Sequence, residues 1–250
     1  MMSASISSLH DALAQRRALK VISGLQNFDA TSVRRVVRAA EQGGATYVDI
    51  AASSDLVRLA KQETDLPVCV SAIDPQQLAV AVRAGADLVE IGNYDSFYAS
   101  GRQFSAAEVL ELTRKTRSLL SRTLLAVTVP HTLPLDQQAE LAEQLETLGA
   151  DMIQTEGGTS VKPQHGGSLG LIEKAAPALA ATYEISRVVS IPVLCASGLS
   201  TVTVGMAIAA GASGVGVGRA ISHLQDEVAM VAQVRSLVEA LGKAAAVVPV

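Results

Sequence analysis

IPVLCASGLSTVTVGMAIAAGASGVGVGR, residues 191–219, reads in 29 residues as strand, small-residue turn, helix, glycine cap, strand and a second small-residue turn. The stretch LPVCVSAIDPQQLAVAVRAGADLVEIGN, residues 66–93, lines up with it once one residue is inserted. Both enter their first strand through a Pro-Val step, at Pro67-Val68 and Pro192-Val193. Both reach the second through Gly-Ala and a small polar residue, and the same step recurs at Gly44-Ala45-Thr46 and Gly149-Ala150-Asp151. Glycine in the left-handed conformation ends a helix at little cost, so these steps read as helix C-caps.

Eight β-branched runs follow from this spacing, at 19–23, 46–51, 68–72, 87–92, 123–129, 151–156, 192–197 and 213–217. Start signals for the helices lie between them. Asp29 caps 31–42, Asp74 precedes Pro75 at a first helical position, and Ser105 with Glu108 forms a capping box. Strands alternating with helices, and a (βα)2 unit seen twice half a turn apart, predict an α/β fold: one (β/α)8 TIM barrel spanning 1–250. A doubly wound open sheet would leave that symmetry unexplained. Residues 1–18 read as an N-terminal extension and helix covering the barrel bottom, with Ser8 and Asp11 as its capping box.

Composition agrees with a buried parallel sheet. Hydrophobic residues make up 49% of the 250, with three Phe, four Tyr and no Trp, so small aliphatics must build the core. A net charge of −4 and basic residues scattered singly or in pairs argue against a nucleic-acid partner. No apolar run approaches the ~20 residues that span a bilayer, and the Ser-rich start lacks a secretory signal pattern. The expectation is a soluble cytoplasmic protein without a membrane partner. Cys69 and Cys195 lie in apolar runs without motif spacing and read as small core residues.

The glycines of 211–218 admit two readings: close backbone packing, or bare amides for a ligand. Gly216 and Gly218 share the inward parity of strand eight, while Val215 and Val217 point to the helices. The turn at Ser197-Gly198 ends strand seven, and loops after strands seven and eight of such barrels commonly hold phosphate. Ser197, Gly198, Gly218 and Arg219 are therefore the candidate phosphate-binding residues, and a phosphorylated small molecule is the candidate ligand.

Lys20, Asp49 and Glu90 have inward parity on strands one, two and four, among outward Val21, Val48, Ile50, Val89 and Ile91. Buried charges must pair. The trio reads either as a structural ion network or as a lysine poised beside carboxylates for Schiff-base or proton-transfer chemistry. Glu156 at the end of strand six is a further candidate acid or base, and His131 lies on the same functional face. The glycine-rich segment after it reads as an ordinary loop or as a lid, with Gly157 and Gly158 as hinge and Lys162 and His165 reaching over a ligand. A metal site from Asp49, His131 and Glu156 has no supporting ligand spacing, so no metal is expected. Without a dinucleotide fingerprint at a first βα turn or a P-loop, no cofactor is expected.

KVISGLQNFD (20–29), GGATYVDIAA (43–52), TEGGTS (155–160), CASGLS (195–200) and GASGVGVGRAI (211–221) resemble the family named after hypothetical chloroplast reading frame twenty-three. That resemblance implies a TIM-barrel relative from a cyanobacterium or a plastid-bearing alga, with no established catalytic residues to carry over. The last two stretches also resemble those of phosphate-binding barrels such as thiazole synthases and sugar-phosphate epimerases. Lys20 matches a diagnostic motif of neither. The leading expectation is a lyase, aldolase or isomerase acting on a small phosphorylated metabolite. The alternative is a non-catalytic metabolite-binding or regulatory barrel, and Ala- and Val-rich helix faces leave room for a homo-oligomer.

Overall fold

The computed structural model describes residues 4–246. Its eight strands are β1 (Ala18–Gly24), β2 (Tyr47–Ala51), β3 (Val68–Ala72), β4 (Leu88–Ile91), β5 (Leu124–Thr128), β6 (Met152–Gln154), β7 (Val193–Ala196) and β8 (Gly214–Val217). They pair in parallel in sequence order and close, β8 onto β1 through Lys20↔Gly216. The helices are α1 (Ala4–Ala14), α2 (Ala30–Gly43), α3 (Ser54–Glu63), α4 (Pro75–Arg83), α5 (Asp95–Tyr98) and α6 (Ala106–Leu119). They continue as α7 (Leu135–Thr147), α8 (Gly167–Ile185), α9 (Val204–Ala209), α10 (Arg219–Ser222) and α11 (Glu227–Ala245). This is a (β/α)8 barrel.

Local chemistry places the boundaries. Asp29 accepts from the Thr31 amide at 2.9 Å, Asp74 from Gln76 at 2.9 Å, and Ser105 from Glu108 at 3.3 Å. Each satisfies one of the amides that a helix start leaves open. Gly44, Gly85, Gly149 and Gly211 all take positive φ, between 83° and 114°, where a Cβ would be strained.

The period-2 alternation of the strands sorts side chains into two apolar layers. Val21, Val48, Ile50, Val89 and Ile91 are sealed against the helices in the larger one. Each contributes roughly 1.5–3 kcal/mol by leaving water. Inside the barrel, Ala18, Tyr47, Cys69, Leu88, Ala126, Met152 and Leu194 form the bottom, and Leu9 and Leu13 of α1 plug it. Ser8 and Asp11 lie within α1, which is already helical at Ala4, so they do not form its capping box. The plug needs Leu9 and Leu13 on one face, and that i, i+4 pair extends the helix through both polar residues.

The glycines of the 211–218 stretch divide between the two readings. A Cβ on Gly214 would lie 2.5 Å from the Ala18 oxygen, and one on Gly216 2.9 Å from the Ala196 Cβ, so both serve close packing. At Gly218 the nearest atom would be 3.4 Å away, and this residue borders open space. Cys69 and Cys195 are buried free thiols. Among the described residues no helix is long and apolar enough to cross a membrane.

Candidate active site at the C-terminal mouth of the barrel

A cavity of about 690 Å³ opens at the C-terminal ends of the strands. Its walls are the turns after β1, β4, β6, β7 and β8, with α8 crossing one side. Two polar clusters lie at different depths relative to it.

The deeper one is the predicted trio. Lys20 and Glu90 are completely buried and Asp49 is 1% exposed. Lys20 Nζ pairs with Glu90 Oε2, lies 3.4 Å from Asp49 Oδ2, and donates to Gln154 Oε1 at 3.1 Å. Glu90 Oε1 accepts from Thr128 Oγ1 at 3.0 Å and Gln154 Nε2 at 2.7 Å. Asp49 accepts from Ser71 Oγ at 2.6 Å and Asn93 Nδ2 at 3.1 Å. Burial by itself would push the Lys20 ammonium down, but the charges of Asp49 and Glu90 outweigh it and hold the group well above its usual value. None of the three lines the cavity. Ile22, Gln154 and Asn93, which do, lie between them and the opening. The Lys20 amine therefore sits beneath this floor, paired with both carboxylates.

The shallower cluster includes two residues that were not anticipated. α5 is four residues long and follows Asn93, whose positive φ of 60° turns the chain across the mouth. It carries Asp95 and Tyr98 to Glu156. Glu156, 4% exposed, accepts from Tyr98 Oη, from the His131 amide at 3.2 Å and, at Oε2, from the Asp95 amide at 3.3 Å. His131 Nδ1 lies 3.2 Å from Glu156 Oε1, so a hydrogen bond there needs the proton on Nδ1. Ser197 Oγ donates to Asp95 Oδ2 at 2.7 Å and accepts from the Thr159 amide at 3.0 Å. Burial raises the Glu156 carboxyl above the usual carboxylate value; the His131 hydrogen bond opposes the rise and Asp95 adds to it. For His131, half-burial disfavours the charged ring, but the Glu156 hydrogen bond and the two carboxylate charges prevail and raise it.

Ser197, Gly198, Gly218 and Arg219 are all in the cavity wall. Among the described residues, the amides of Gly198 and Leu199 meet no backbone acceptor. Those of Arg219 and Ala220 open α10, where a helix start leaves donors free. α10 is too short for a large dipole, so the donors themselves count. Ser197 and Gly198 hold φ of 75° and 76°, and a Cβ on Gly158 would come within 2.5 Å of the Gly198 Cα. This backbone contact between the β6 and β7 turns fixes the direction of the Gly198 amide. Lys174 of α8 also lines the cavity.

Gly157 and Gly158 are buried, packed against His131, Pro177 and Gly198. Lys162 and His165 are not in the cavity wall. The His165 ring and amide are both tied to Glu173, at 2.6 and 3.2 Å, on the outside of the barrel. Of the residues missed from sequence, Asp95 had a usable signal: it lies just past the end of β4, on the face where barrel sites form. Lys174 had none, because only the return path of α8 brings it to the mouth.

The barrel resembles solved structures at low identity. It superposes on 3-hexulose-6-phosphate synthase with a TM-score of 0.63 at 18% identity, covering 89% of this chain and 99% of that one. It superposes on (S)-3-O-geranylgeranylglyceryl phosphate synthase from Thermoplasma acidophilum with a TM-score of 0.61 at 15% identity, covering 97% and 100%. These likenesses establish the fold. The sequence is 44% identical over 224 residues to the uncharacterized protein ycf23 of Cyanophora paradoxa, covering 88% of this chain and 90% of that protein. Residues 2–247 match the family described as a protein of unknown function, DUF561, and the chain belongs to that family and is similar to the ycf23 proteins of Cyanophora paradoxa and Pyropia yezoensis.

Proposed function

We propose that this barrel is an enzyme acting on a small phosphorylated metabolite by proton-transfer chemistry of the lyase, aldolase or isomerase type. The observation that carries the reading is the polarity of the cavity. Among the described residues, the cavity wall offers amides without a backbone acceptor at Gly198, Leu199, Arg219 and Ala220, and the same wall carries the carboxyl groups of Glu156 and Asp95. A phosphate on those amides leaves the remainder of the ligand to Glu156 and Asp95 in the same cavity. Two of the barrels it superposes on carry a phosphate in their names, and one is described in complex with the substrate sn-glycerol-1-phosphate. Those likenesses support the ligand class and leave the reaction to the site.

In this reading Ser197, Gly198, Gly218 and Arg219 hold the phosphate. Glu156 carries the proton: it stands in the cavity wall, and burial raises its carboxyl above the usual carboxylate value, toward a group that can both give and take a proton. Lys20, Asp49 and Glu90 set the floor: they orient Gln154, whose amide is held at both ends by Lys20 and Glu90. Gly157, Gly158, Lys162 and His165 then form a packed turn and its exposed continuation instead of a lid.

The test is thermal unfolding with inorganic phosphate and a panel of triose, pentose and hexose phosphates. A ligand at a hundred times its Kd stabilises by about 2.7 kcal/mol, which raises Tm by roughly 5–10 °C in a domain of this size. Gly218→Asp has room for its side chain and places a negative charge beside the free amides, so it should fold and lose the protection. No protection by any of these compounds at millimolar concentration sinks the proposal.

A further inference from the structure

We propose that Asp95, His131 and Glu156 form a binding site for one divalent transition-metal ion, of the Mn²⁺ or Zn²⁺ kind, at the mouth of the barrel. Each residue offers one donor atom, and the three donors all lie within 4.8 Å of one another. His131 Nδ1 is 3.2 Å from Glu156 Oε1 and 3.9 Å from Asp95 Oδ1. Donors bound at about 2.1 Å to a shared ion stand ~3.0–3.5 Å apart, so sub-ångström movements complete the shell.

A second observation singles out the atom that would bind. Asp95 Oδ1 is shut off from solvent and has no hydrogen-bond partner, while its sister Oδ2 is held by Ser197 Oγ. A carboxylate oxygen in that state is costly unless something positive reaches it. The surrounding contacts have the form of a supporting shell. Ser197 orients Asp95, Tyr98 Oη and the His131 amide orient Glu156, and the Tyr98 ring packs edge-on to the His131 ring with centroids 4.8 Å apart. Two carboxylates and a neutral imidazole balance a dipositive ion in charge. One nitrogen with two oxygens suits zinc or manganese better than calcium. The three residues supply three protein ligands, and two of them, Asp95 and Glu156, border the cavity.

Binding replaces the proton shared between His131 Nδ1 and Glu156 Oε1; that proton leaves to solvent as the metal–nitrogen bond forms, with no redox change. The inference does not rest on the function proposed above. With the ion bound, Glu156 would be held as a ligand, and the ion would supply a polarised water for proton transfer.

The experiment titrates chelator-treated protein with MnCl₂, without any phosphorylated compound, and reads free Mn²⁺ from its aqueous electron paramagnetic resonance signal. A parallel titration with ZnCl₂ competes against a chromophoric chelator. One ion per chain is expected, with affinity falling at least about tenfold in Asp95→Asn and in His131→Ala. Glu173→Gln, which disturbs the other histidine–carboxylate pair at His165, should bind as the parent does. Should either ligand variant fail to fold, Ser197→Ala keeps all three donors and should weaken binding by about tenfold. Absence of stoichiometric binding of both metals at millimolar concentration overturns the proposal, and so does parental affinity in Asp95→Asn and His131→Ala. Failure here leaves phosphate protection in chelator untouched, and loss of that protection leaves the metal titration untouched.

Discussion

The cluster at Lys20, Asp49 and Glu90 and the cluster at Asp95, His131 and Glu156 are each made of one basic and two acidic side chains. In the first, every donor and acceptor is turned inward: Lys20 meets both carboxylates, and Gln154, Thr128, Ser71 and Asn93 close the remaining positions. In the second, an oxygen of Asp95 is left without a partner, and Asp95 and Glu156 stand in the wall of a cavity. Satisfied polar groups under a floor stabilise and specify a fold, whereas an incompletely partnered one at an opening keeps capacity for a ligand. The difference arises from depth along the strands. Lys20 lies opposite Gly216 in the barrel interior, whereas Glu156 lies beyond the last residue of β6.

The largest effect that could break this contrast is at Lys20. Lys20→Met strands two carboxylates in the interior, and breaking a buried ion pair in this way costs about 3–5 kcal/mol. Tm should fall by on the order of 10 °C, with or without ligand. Parental melting together with lost turnover on a phosphorylated substrate would instead make Lys20 catalytic.

Gly158→Ala comes next, since its Cβ would lie 2.5 Å from the Gly198 Cα. Overpacking of this kind costs roughly 1–3 kcal/mol, and the displaced Gly198 amide should abolish protection by phosphate compounds. A stable Gly158→Ala that still responds to phosphate would show that the two turns do not hold each other.

A smaller effect sharpens the description of the mouth. In chelator-treated protein His131 should titrate above its ordinary value of about 6.5, because Glu156 and Asp95 favour the charged ring. Glu156→Gln should lower that value, as read from imidazole NMR shifts against pH. The sign for stability follows: the contribution of protonated His131 is complete below about pH 6.5 and is lost as pH rises through the raised folded-state value. An unshifted His131 in the parent would dissolve the dyad. The smallest effect expected is at Lys162, where Lys162→Ala should change stability by no more than about 0.5 kcal/mol and leave phosphate protection intact. Loss of protection would restore the lid.

Much of the architecture was legible because it is written in local rules. The eight strands, the caps at Asp29, Asp74 and Ser105, and the four glycines of positive φ each depend on a few neighbouring residues. The inward parity of Lys20, Asp49 and Glu90 followed from period-2 alternation, and their mutual contact from the need to pair buried charges. The α1 start was misplaced because a local capping pattern at Ser8 and Asp11 competed with the demand for an apolar plug, and the plug prevailed.

Sequence by itself determined the barrel and which end of it the strands' C-termini form, since hydrophobic period, turn chemistry and chain order leave little freedom there. Tertiary structure alone decided which polar groups are reachable. Alternation says that a side chain points into the barrel but not how deep it lies, so only closure of the sheet put Ile22 and Gln154 between Lys20 and the cavity. Likewise, the meeting of Asp95, His131, Glu156 and Ser197 joins the ends of four strands far apart in the chain. Such a convergence is set by the twist and closure of the whole sheet, and no short stretch of sequence encodes it.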